Sequence, residues 1–121
     1  MRAVITTEAG GPEVLTLTDV PTPEPGPGQL LIAVTAAGVN RADILQRQGH
    51  YPPPPGESDL IGLEVSGHVA ALGADVQGWA VGDACVALLA GGGYAEYVAV
   101  NAGQVTRPPE GIDLVSAAGI M

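Results

Sequence analysis

The side chains able to do chemistry are few in this 121-residue chain, and most stand alone. Cys85 is the single cysteine, so neither an internal disulfide nor a multi-cysteine zinc site can form. It lies in an apolar run, where a thiol reads as inert core. Of the two histidines, His50 is on a loop beside Tyr51, and His68, next to Gly67, reads as a half-buried structural histidine in mid-strand. Glu64 interrupts an apolar strand and must find a hydrogen-bond partner if buried, which points to a structural bond before acid–base work. Asn40 stands where a helix N-cap is needed, and Asp43 falls in the first turn, where a carboxylate complements the helix dipole. No Gly-x-Gly-x-x-Gly opens a helix after a strand. Gly26-Pro27-Gly28 sits in a proline connector, and Gly91-Gly92-Gly93 suits a tight bend better than an anion.

Composition narrows the partners. At 12.1 kDa there is room for one domain, and 46% apolar against 14% charged residues makes it globular. With no Phe and only Tyr51, Trp79, Tyr94 and Tyr97 as aromatics, Val, Leu, Ile and Ala must fill the core. All four basic residues are arginines, with no lysine, against thirteen carboxylates. A net charge of −9 opposes both phosphate neutralisation on nucleic acid and docking on an anionic membrane. The apolar run Ala3-Val4-Ile5 is too short for a signal-peptide core, and no stretch approaches a membrane span. A soluble cytoplasmic protein is the simplest expectation.

The elements that must hold these residues are short strands between Gly/Pro turns. Arg2 to Thr6 reads as a strand, Gly10-Gly11-Pro12 as a turn, and Val14 to Val20 as a half-buried strand. The proline-rich stretch from Pro21 to Gly28 is a stiff connector. Leu30 to Val39 reads as a buried strand, followed by a short helix from Arg41 to Gln48 that Gly49 terminates. Tyr51 and Pro52 to Pro55 make a rigid loop. Leu63 to Leu72, Val81 to Leu88 and Tyr94 to Val100 are further strands, with Trp79 a surface-covering side chain. Asp113 caps a last helix whose Ala117-Ala118-Gly119-Ile120-Met121 face is expected to stay uncovered, giving low solubility. Many short strands between Gly/Pro turns point to a mainly β fold, a barrel or a sandwich, with one small helix inserted.

Four segments carry a resemblance: Met1-Arg2-Ala3-Val4 with Gly11-Pro12-Glu13-Val14-Leu15; Asn40 through Gly49; Gly62 through Val69; and Ala87 through Val98. Together, in order and spacing, they resemble the N-terminal half of the zinc-free quinone oxidoreductases of the medium-chain dehydrogenase/reductase superfamily. The resemblance covers essentially residues 1–121 and implies a mainly β, GroES-like substrate-side domain, a partly open β-barrel with one or two short helices, with the Rossmann nucleotide-binding half absent. It implies hydride transfer from NADPH to a quinone or an activated alkene or carbonyl. The superfamily's zinc enzymes have a cysteine at the place of Asn40 and a histidine at that of Leu63, and neither residue here suits zinc, so no metal is expected. Without a Lewis acid, charge developing on the acceptor oxygen needs hydrogen-bond donors. By resemblance these are Tyr51 and Asn40, the catalytic candidates. Asn40, Tyr51, Asp43 and Gln46 are the cofactor contacts, and Tyr51 and Leu63 the substrate contacts. Asn40 can serve as cap and contact together, while Tyr51 has packing as its rival role and His50 a possible cleft role.

The same resemblance implies a homodimer for the full-length form, and a fragment with little NADPH affinity or activity of its own. The competing reading is a non-catalytic GroES-like binding or assembly module. The segment from Asn40 to Tyr51 speaks for the reductases, since a co-chaperonin has no reason to carry it.

Overall fold

In the computed structural model, which describes residues 1–50 and 52–120, β1 (Arg2–Thr6) pairs antiparallel with β2 (Leu15–Asp19) around a short 3-10 turn at Pro12–Val14. The Met1 ammonium donates to the Val20 carbonyl at 2.8 Å, and the Val20 N–H returns a bond to Met1, which closes this hairpin. The proline connector carries no strand or helix through residue 26. Five more strands form a second antiparallel sheet: β3 (Gln29–Ala37), β4 (Glu64–Leu72), β5 (Ala84–Leu88), β6 (Tyr97–Asn101) and β7 (Val105–Thr106). Their order is β6-β3-β4-β5-β7. Between β3 and β4 lies helix α1 (Arg41–Arg47), and α2 (Leu114–Ala117) follows β7. The mainly β expectation, with two short helices, holds.

Alternation along the strands builds the core. Leu30 and Ile32 of β3, Val65 and Val69 of β4, Cys85 and Ala87 of β5, and Val98 and Val100 of β6 all turn inward. The β3–β4 register shifts twice, between Leu31 and Ile32 and between Val34 and Ala36, and such irregularities bend a flat ladder into a curl. The segment Tyr94 to Glu96 stitches the hairpin to this sheet. Val4 N–H donates to Tyr94, Glu96 N–H to Arg2, and Val34 N–H to Glu96. Trp79 packs on the core's edge, with the Arg107 guanidinium 4.4 Å from its ring centroid and 3.3 Å from the Asp83 carboxylate. It covers surface as the sequence suggests.

Several boundaries differ from the sequence reading. β3 ends at Ala37 rather than Val39, because Gly38 makes the last ladder bond and Val39 swings outward, 78% exposed. β5 starts at Ala84 rather than Val81, since Asp83 N–H closes a turn on the Ala80 carbonyl. β6 starts at Tyr97, and only an isolated Ala3–Ala95 bridge precedes it. β7, two residues long, gave no periodic signal. His68 is exposed, not half-buried. It shares the outer face of β4 with Glu64 and Ser66, and α2 covers that face only as far as Ser66, whose hydroxyl donates to the Leu114 carbonyl. The last helix is likewise not bare. Ala117 and Ala118 are buried against β3 and β4, while Val115 and Ile120 stay exposed, and Met121 lies outside the described residues.

Two predictions follow from this packing. A Cβ at Gly67 would lie 2.1 Å from the Ala33 carbonyl oxygen across the β3–β4 pair. Gly67→Ala is therefore expected to lower the urea unfolding free energy by about 2–3 kcal/mol, as overpacking does. The Cys85 thiol is pushed up to about 11, first by burial and then by the Asp83 charge. It should resist alkylation by iodoacetamide in the native chain at pH 8 and react once urea unfolds it.

Candidate functional site

The site begins where the chain leaves the sheet. Gly38 N–H donates to the Glu64 carbonyl at 3.0 Å, extending the β3–β4 ladder by one step. Asn40 is still extended, and α1 starts at the next residue. Asp43 closes the helix's first turn. Its Oδ2 accepts from the Asn40 N–H at 2.9 Å, and its own N–H donates to the Asn40 carbonyl at 3.0 Å. This is the N3 half of a capping box, with Asp in place of the longer Glu or Gln. Gly49, at φ +83°, ends the helix as expected, and the exposed His50 sends its N–H to the Leu45 carbonyl.

Two further residues complete the arrangement. The Asn40 side-chain amide donates from Nδ2 to Glu64 Oε1 at 3.0 Å, so Glu64 has the partner its burial demands. The Tyr94 hydroxyl donates to Asp43 Oδ2 at 2.7 Å. Tyr94 is brought there by a close backbone approach. A Cβ at Gly62 would lie 2.7 Å from Gly93 Cα, and Tyr94 N–H donates to the Ile61 carbonyl. Gly91 and Gly92 both have positive φ, so the triple glycine is a bend.

The network thus runs from Tyr94 through Asp43 and Asn40 to Glu64. Its two carboxylates are almost fully buried, at 4% and 5% exposure. Among the described residues, neither is in an ion pair, and Asp43 Oδ1 and Glu64 Oε2 have no hydrogen-bond partner. Arg47, one helical turn beyond Asp43, sends its Nε to the Gly10 carbonyl. Asp43, Arg47 and Tyr94 border a cavity of about 300 Å³ whose other walls include Leu15, Val39 and Ile61. Burial pushes the Tyr94 phenol well above its usual range, and the hydrogen bond to Asp43 and that carboxylate's charge add to the rise.

Of the residues singled out in the sequence, Asn40 and Asp43 meet in this network. Leu63 is half-buried beside Glu64, its carbonyl accepting from Leu89 N–H at 2.7 Å. Gln46 is half-buried on α1 and makes no side-chain hydrogen bond to the network. Tyr51 lies outside the described residues. In the sequence Tyr94 stands out only as the start of a strand. The signal for it was a phenol just after three glycines, in a chain with a carboxylate to satisfy. Among the described residues, no three His, Cys, Asp or Glu side chains come together.

Removing the Tyr94 hydroxyl leaves Asp43 Oδ2 with a single donor. Tyr94→Phe should therefore cost about 1–2 kcal/mol at pH 7 in chemical denaturation. Its pH dependence has a definite sign. The folded-state value lies above the ordinary tyrosine value of about 10, so the contribution is complete below pH 10 and is lost as pH climbs past it. The parent chain should lose stability above pH 10 more steeply than Tyr94→Phe. Parallel curves would contradict the assignment.

Comparison with known proteins agrees with this architecture. The family model for the alcohol dehydrogenase GroES-like domain matches residues 26–110. A quinone oxidoreductase from Lama guanicoe is 39% identical over 122 residues, covering 99% of this chain and 37% of that protein. The mouse synaptic vesicle membrane protein VAT-1 homolog-like is 37% identical, covering 98% of this chain and 28% of its own. The Escherichia coli quinone oxidoreductase, solved in complex with NADPH, superposes with a TM-score of 0.87 at 28% identity, over 98% of this chain and 36% of that one. The chain spans about a third of the length of the curated relatives it matches. It belongs to the alcohol dehydrogenase GroES-like domain family.

Proposed function

We propose that residues 1–121 form the substrate-side domain of a zinc-independent oxidoreductase that passes a hydride from NADPH to a quinone or an activated alkene or carbonyl. The observation that carries this reading is the Asn40 amide, held by a buried carboxylate at the junction of β3 and α1 in a domain of this family. Relatives that bear the name quinone oxidoreductase, one of them holding NADPH, support it.

The cofactor supplies the hydride when bound. The part left to this chain is polar stabilisation of the acceptor. One hydrogen of Asn40 Nδ2 is committed to Glu64, so the other is available to an oxygen gaining negative charge. Tyr51 adds a phenol to the same task, and Leu63 an apolar wall. Asp43 and Gln46 belong to the nicotinamide end, where Asp43 chiefly keeps the Asn40 backbone in place. Zinc independence rests on ligand chemistry. The leucine side chain has no donor atom, an amide is a poor zinc ligand, and the single carboxylate of Glu64 does not make a site. Among the described residues no glycine-rich segment opens an α-helix to cradle a pyrophosphate, so in this reading nucleotide binding falls to a second domain. By the same reading the complete enzyme is a cytoplasmic homodimer. Among the described residues, no helix is long and apolar enough to cross a membrane.

The test is NADPH oxidation with a simple quinone, comparing this chain with one extended through a nucleotide-binding domain. Turnover is expected only in the extended form, where Asn40→Ala and Tyr51→Phe should each lower kcat about 10- to 100-fold. Unchanged turnover in both variants would sink the assignment of these donors. No oxidation by the extended chain with quinone or enone acceptors would favour the binding-module reading.

A further inference from the structure

Glu64 is buried at a cost. It sits at 5% exposure, with Oε1 on Asn40 Nδ2 and Oε2 without a partner among the described residues. An apolar side chain in that place would leave no buried carboxylate oxygen unsatisfied, and the half-buried Asn40 amide could turn to water, so packing alone does not call for a carboxylate. The backbone also makes room for it. A Cβ at Gly38 would lie 2.2 Å from Glu64 Oε1 and 2.5 Å from its Cδ, so any other residue there displaces the Glu64 side chain.

What a carboxylate does at this place follows from hydrogen-bond valence. The oxygen and nitrogen of an asparagine amide are nearly the same size, and either can face a neighbour that both donates and accepts. A carboxylate only accepts. Set against Asn40, it admits the NH₂ edge and repels the carbonyl edge, which leaves one of the two flip states. We infer that Glu64 is a positioning residue that fixes the orientation of the Asn40 amide, with Gly38 supplying the space it needs. The remaining Nδ2 hydrogen then points in one direction in every molecule, as a donor to an acceptor oxygen must. This rests on the reading of Asn40 as a substrate contact, but the orientation itself can be measured without turnover.

The experiment is nitrogen-edited NMR of the ¹⁵N-labelled 121-residue chain, following the side-chain NH₂ pair of Asn40. The parent should show one sharp, slowly exchanging pair. Glu64→Gln keeps size and hydrogen-bonding capacity but can meet Asn40 in either orientation, so the pair should double or broaden while backbone signals elsewhere stay in place. Gly38→Ala, which keeps the Glu64 charge and moves it, should broaden the same pair. A single sharp pair in Glu64→Gln, or a mobile pair in the parent, overturns the inference. Should both variants fail to fold, a through-hydrogen-bond coupling from Asn40 Nδ2 to Glu64 Cδ in the parent decides: its presence supports the role and its absence overturns it. In a form extended through the nucleotide-binding domain, Glu64→Gln should lower kcat about tenfold with KM within about twofold. Unaltered turnover in Asn40→Ala, with the Asn40 pair of the parent locked, would defeat the reading of Asn40 as a substrate contact and leave the positioning role standing.

Discussion

Two buried carboxylates without a cation determine how this domain is joined together. Asp43 and Glu64 lie on different elements, and one residue, Asn40, serves both: its backbone N–H goes to Asp43 and its side-chain amide to Glu64. Neutral donors must hold the charge where no arginine does, and such bonds act over one distance and one angle, not over a range. The start of α1 is therefore pinned to β4 more tightly than apolar contact would pin it. Tyr94 adds a third tie from the far side of the glycine bend. A loop, a helix and a strand edge thus share one fixed point.

The sheet makes that point possible. β4 has a core face, where Val65, Gly67 and Val69 meet the other strands, and an outer face, where Glu64, Ser66 and His68 follow one another. What covers the outer face changes along its length. Asn40 lies over Glu64, α2 reaches Ser66 through the Leu114 carbonyl, and His68 is left to water. One strand thus passes from buried charge to open solvent within five residues.

The strands were legible because each is an apolar run bounded by glycine or proline, and the Asn40 cap because an Asn with a carboxylate three residues on is a local signal. What was not legible depended on distant chain. His68 has apolar neighbours on both sides, so nothing local told it from a buried residue; its exposure depends on how far α2 extends over the sheet. Ala117 and Ala118 look bare in sequence for the same reason, since their cover is β3 and β4, nearly fifty or more residues earlier. Tyr94 was hidden by the glycines that place it, because their close approach to Gly62 is a three-dimensional fact. β7 was too short for any period to show.

The hairpin closure at Met1 has a chemical consequence. With no lysine in the chain, the Met1 ammonium is the one primary amine these 121 residues carry, and it is engaged with the Val20 carbonyl. Acylating agents selective for amines have this atom alone to attack among these residues. A conjugate made there would take a positive charge and a hydrogen bond from the end of β1, so the rate at which the amine reacts reports how often the hairpin frays.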